Sequence, residues 1–98
     1  MLTNEAPRLV DENYLEESLN YFTLQPNPAT DEVMISVSDF SETSFMEVYD
    51  LIGTRITTIP VSSNEIPFNV SDFSSGVYFF QLKDGEEVLE TKKLVVGD

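Results

Sequence analysis

The chain has 98 residues, enough for one domain, and its 41% hydrophobic and 11% aromatic content is that of a folded protein rather than a disordered one. Its 18 acidic residues against 5 basic ones give a formal charge of −13, which repels phosphate backbones and anionic lipid and so argues against a nucleic-acid partner. Cysteine and histidine are both absent, removing disulfides, thiolate metal sites, the commonest metal ligand, the commonest general base and the thiolate nucleophile.

No stretch reaches the roughly 20 apolar residues of a membrane span, and the N-terminus lacks the basic flank and apolar run of a signal peptide. An exported domain of this kind is therefore expected to travel within a longer precursor. The segment Met1–Tyr21 is acidic and lacks β-branched alternation, which places a boundary near Tyr21. Leu15, Leu19 and Phe22 fall at i, i+4 and i+7 with Asp11 as a candidate cap, a spacing compatible with a short helix. A plain linker fits the same residues.

From Phe22 onward strand signals come at short intervals. Phe22–Gln25 precedes a proline-rich turn in which Pro26 and Pro28 fix φ on either side of Asn27, while Thr30 and Asp31 can hydrogen-bond local amides. Val33, Ile35 and Val37 then alternate with Met34, Ser36 and Ser38, the pattern of a half-buried strand. Phe45–Leu51 sets Met46 and Val48 against Phe45, Glu47 and Tyr49. Asp50 and Gly53 bracket a turn into Arg55–Ile59, with Gly53 supplying a positive φ, and Arg55 is placed to pair with Asp50 or Glu47. Pro60 ends that strand, and Glu65–Val70 resumes with Ile66, Phe68 and Val70 spaced by two.

Val77–Lys83 is apolar on both faces and is expected to be a central strand buried between layers. Gly76, just before it, is expected to sit where a Cβ would clash. Asp84-Gly85 is a two-residue hairpin signal, and Glu87–Val96 returns with Val88, Glu90, Lys92, Leu94 and Val96 on one face. Lys93 shares the other face with Leu89, Thr91 and Val95, so one lysine must snorkel or lie at a sheet edge. These seven strands describe an all-β fold, a small antiparallel β-sandwich that is immunoglobulin-like in size.

The chemistry left to such a chain is sparse. The carboxylate pairs Glu86-Glu87 and Asp31-Glu32 lie beside turns, where no cleft for glycoside chemistry is expected, and no run has the spacing of a calcium loop. Sugar stacking on Tyr14, Tyr21, Phe40 or Phe73 is one alternative; closure of the core ends by Phe40 and Phe73 is the other. No enzyme activity, metal or cofactor is expected.

Four ordered pieces, Leu24–Val37 (LQPNPATDEVMISV), Met46–Arg55 (MEVYDLIGTR), Ser75–Leu82 (SGVYFFQL) and Thr91–Val96 (TKKLVV), make the chain similar to the C-terminal sorting domains of type IX (Por) secretion, the variety called type A. The resemblance covers about Phe22 to Asp98. It implies a domain at the C-terminus of a cargo that crosses the inner membrane of a Gram-negative cell by a signal peptide, passes through the periplasm, and is carried through the outer membrane by the type IX translocon to the cell surface or beyond. It implies removal by a sortase-like peptidase in the linker ahead of the first strand, here within Met1–Tyr21. The final strand carries recognition in that family, a role that falls on Lys92, Lys93, Leu94 and Val95, and strand addition is the mode expected of an exposed last strand. The family motif also includes Pro26, Asn27, Pro28, Asp50, Gly53, Gly76, Asp84 and Gly85. An extracellular binding or spacer module of the same fold is the alternative function.

Overall fold

A computed structural model describes residues 21–97, so the proposed Met1–Tyr21 helix or linker, Tyr21 apart, lies outside the described residues. Seven strands follow in order: β1 (Phe22–Gln25), β2 (Glu32–Val37), β3 (Ser44–Asp50), β4 (Arg55–Pro60), β5 (Glu65–Asn69), β6 (Gly76–Asp84) and β7 (Glu87–Val96). They form two sheets, β1-β2-β5 and β4-β3-β6-β7, with every strand pair antiparallel. No helix occurs among the described residues.

The period-2 pattern determines what is buried. Phe22 and Leu24 of β1 and Val33, Ile35 and Val37 of β2 face Met46 and Val48 of β3, Tyr78, Phe80 and Leu82 of β6, and Leu94 and Val96 of β7. Burying a side chain of this size contributes about 1.5–3 kcal/mol, so these two inner faces supply the main stabilisation. Phe80 is fully buried and meets Phe68 edge-on, with centroids 5.9 Å apart. Phe73 packs on Phe68 and Tyr78, at 5.8 and 4.8 Å, and Phe40 packs against the same core. Both rings therefore close core ends.

Three expectations need correction. The β6 strand is buried on one face only: Val77, Phe79 and Gln81 are half-buried on the outside of the sandwich, where no third layer covers them among the described residues. In β7 the register shifts where Leu82 pairs with Glu90 and Lys83 with Val88. This bulge leaves Leu89 without an opposite residue and turns Val88 outward, 48% exposed, so Val88 does not share the face of Leu94 and Val96. At Gly76 (φ +157°) an added Cβ would meet nothing within 4 Å, so no clash explains that glycine. The crowded position is Gly97, at φ +128°, where a Cβ would stand 2.9 Å from Ser75 Oγ.

Turn chemistry explains the hairpins. Asp50 accepts from the Ile52 and Thr54 amides at 3.1 and 2.9 Å, and the Gly53 amide donates to the Asp50 carbonyl, with Gly53 at φ +92°. Between β6 and β7 the two loop residues are Gly85 and Glu86, since Asp84 already pairs with Glu87. Gly85 has φ +63° and no non-glycine residue among those described has a positive φ, the sign pattern of a turn with glycine at its first central position. Asp84 instead accepts hydrogen bonds from the Ser41 and Thr43 hydroxyls, tying the β2–β3 loop to this hairpin.

Candidate functional site: the C-terminal strand and the turn that holds it

β7 is an edge strand of the four-stranded sheet. Of its four candidate recognition residues, Leu94 is fully buried in the core and anchors the strand. Val95 is half-buried, Lys93 exposed and Lys92 partly exposed. Lys92 Nζ lies 3.9 Å from Glu90 Oε2, and Lys93 forms no ion pair among the described residues. The inner-facing lysine is thus Lys92, which reaches past the strand edge to keep its charge wet.

The edge beyond Lys93 is occupied by the proline-rich turn. Asn27 Nδ2 donates to the Lys93 carbonyl at 2.9 Å, and the Val95 amide donates to Asn27 Oδ1 at 3.0 Å. Ala29 continues the contact: its amide donates to the Val95 carbonyl, and the Gly97 amide donates to the Ala29 carbonyl, at 2.9 and 2.8 Å. An isolated parallel bridge joins Ala29 to Val96. Asn27 therefore stands in for a strand, matching one donor and one acceptor of β7 with a single amide. The peptide bonds before Pro26 and Pro28 are both cis. Two motifs some 65 residues apart are one physical unit, a link that alternation and turn rules do not reveal.

The upper part of the same edge is tied differently. Glu90 Oε1 accepts from the Tyr21 and Phe22 amides at 2.8 and 3.2 Å, fastening β7 to the start of β1. Below this contact a cleft of 320 Å³ opens between the two strands, lined by Thr23, Leu24, Gln25, Asn27, Lys92 and Lys93.

A second polar cluster sits on the outer face of the four-stranded sheet. Glu47, only 6% exposed, accepts from Arg55 at 3.1 Å, Lys83 at 2.8 Å and the Tyr49 hydroxyl at 2.5 Å. Of the two partners expected for Arg55, Glu47 is thus the one used, and Asp50 serves its own turn. The Lys83 ammonium and the Tyr49 hydroxyl, with Arg55 beside them, hold the Glu47 carboxyl down at about 2 against the opposing effect of burial. The hydrogen bond to Glu47 pushes both the Tyr49 phenol and the Lys83 ammonium up from their ordinary values. Lys83 stands diagonally across from Glu47 in the register, where Phe45 pairs with Lys83 and Glu47 with Gln81. Such diagonal pairs are within reach of long side chains. Knowledge of which strands neighbour each other would have found it.

Among the described residues no aromatic ring is fully exposed, and no group of three or more acidic residues is arranged to hold a metal ion. Among the same residues no helix is long and apolar enough to cross a membrane.

A model of the secretion system C-terminal sorting domain matches residues 23–97, from β1 to just past β7. The chain belongs to that family, the C-terminal sorting domains of type IX secretion. Sorting for type IX secretion is its role, and secretion to the cell surface or outside is the destination that role implies. A solved structure from work on PorZ, an essential bacterial surface component of the type IX secretion system of Porphyromonas gingivalis, shares the fold with a TM-score of 0.66 at 20% identity. The alignment covers 82% of this chain and only 12% of that one. No match was found among curated proteins.

Proposed function

We propose that residues 22–98 form a sorting domain that takes an attached cargo through the type IX translocon, with Met1–Tyr21 as the segment joining it to the cargo. The family match over the whole sandwich carries this reading. The domain acts as a ligand, not an enzyme: its part is to present a surface that the translocon binds. Export through the periplasm and removal by a sortase-like peptidase within Met1–Tyr21 complete the pathway.

The surface presented is the end of β7. Lys92, Lys93 and Val95 are the residues a partner can touch, while Leu94 holds them in place from the core. Asn27 and Ala29 already fill the strand edge from Lys93 to Gly97, so main-chain addition is confined to the stretch before them. Side-chain contacts carry most of the selectivity.

Reversing both charges, Lys92→Glu with Lys93→Glu, tests the assignment. The doubly changed domain keeps its melting temperature within a few degrees, because neither ammonium is buried, and fails to export a reporter. Export at the level of the unchanged domain would contradict it.

A further inference from the structure

We infer that the cleft between β1 and β7 is a binding site for an extended, carboxylate-bearing segment of a partner protein. This rests on the reading of β7 as the recognised strand and names the place and chemistry of that recognition. The cleft holds 320 Å³ and is lined by Thr23, Leu24, Gln25, Asn27, Lys92 and Lys93, an apolar floor with polar walls and two adjacent cations.

The strand edges supply the shape. Asn27 and Ala29 take up the Lys93 carbonyl and both main-chain groups of Val95. By strand alternation the Thr91 main-chain groups and the Lys93 amide point the same way, away from β6. On the other wall the Ser38 amide donates to the Tyr21 carbonyl, and the Phe22 amide donates to Glu90. The same alternation turns Leu24's main-chain groups away from β2 and toward the cleft. Donors and acceptors thus line both sides of a slot whose floor is Leu24.

Charge supplies the selectivity. The chain carries −13 overall, so a cleft with two lysines is electrostatically unlike the rest of the molecule and draws an acidic segment to one place. Lys93 has no carboxylate partner among the described residues, and that of Lys92 is distant, at 3.9 Å. The carboxylate concerned, Glu90, is also committed to the Tyr21 and Phe22 amides. A carboxylate from the partner would complete both lysines.

Gln25 allows a test that leaves β7 untouched, because the residue lines the cleft and is exposed. Export of a reporter fused to the whole chain is compared for Gln25→Glu, Gln25→Lys and the Lys92→Glu, Lys93→Glu pair, with melting temperature recorded for each. The site predicts opposite responses at one position. Gln25→Glu occupies the lysines from within and lowers export severalfold, whereas Gln25→Lys adds a third cation to the cleft and raises it, both with wild-type melting temperatures. Thr23→Glu, two residues along the same wall, repeats the loss. If Gln25→Glu and Gln25→Lys both export normally while the lysine pair fails, the lysines are read from outside the cleft and the site is refuted. If all variants export normally, the reading of β7 itself fails.

Discussion

Replacing Asn27 with alanine separates the proline-rich turn from β7 without altering either strand's sequence. The change deletes a donor to the Lys93 carbonyl and an acceptor for the Val95 amide. Each such bond contributes a net 0.5–1.5 kcal/mol, and because both lie in exposed surroundings water can replace part of it, so the total loss is about 1–2 kcal/mol. For a domain of this size that corresponds to a fall in melting temperature of about 4–8 °C per kcal/mol. The local effect is more diagnostic than the global one. The Val95 amide loses its partner, so its hydrogen exchange, followed by NMR, accelerates beyond the change in global stability, while the Phe80 amide tracks global stability alone. Asn27→Asp separates the two bonds, keeping the acceptor for Val95 but setting a carboxylate against the Lys93 carbonyl. It protects Val95 better than alanine does without restoring stability. Unchanged exchange at Val95 in Asn27→Ala would refute the idea that this side chain holds the final strand.

The Glu47 cluster predicts a pH dependence. A carboxyl held at about 2 in the fold against an ordinary value of 4.5 contributes stability that is complete above pH 4.5 and is lost as pH falls toward 2, since the unfolded chain takes up the proton first. Melting temperatures measured between pH 6 and pH 2 should fall less steeply in Glu47→Gln than in the unchanged domain, and parallel curves would contradict the assignment. At the β3–β4 turn, Asp50→Ala removes the acceptor for two amides and should cost about 1–2 kcal/mol in chemical denaturation. A loss below about 0.3 kcal/mol would show that the Gly53 turn forms without it.

Much of the fold was legible because its strands obey one rule. Val33, Ile35 and Val37, or Tyr78, Phe80 and Leu82, announce their inner face by alternation, and glycine or proline marks the breaks before β2, β4 and β7. What alternation misses is where the rule is interrupted. The bulge opposite Leu82 and Lys83 reverses Val88, and nothing local in the sequence of β7 signals the extra residue. That Val77 and Phe79 lie on an outer, half-buried face is likewise a property of the assembled sheets, not of β6.

The candidate site was legible in its parts and not in its assembly. The turn residues Pro26, Asn27 and Pro28 and the strand residues Lys92 to Val95 were visible separately, as a stiff turn and an edge strand with lysines. Their contact depends on β1 and β7 meeting at the seam between two sheets, and no sequence pattern encodes which edges adjoin. Gly97 meets Ser75 because the two lie one step past the Gly76–Val96 pair of the β6–β7 hairpin.

The most direct test of the account is export itself. The whole chain is fused behind a signal peptide and a fluorescent reporter, then expressed in a bacterium with a working type IX system and in a derivative lacking the translocon. Reporter at the surface or in the medium of the competent strain alone is the predicted result; reporter held in the periplasm of both strains would contradict the sorting role.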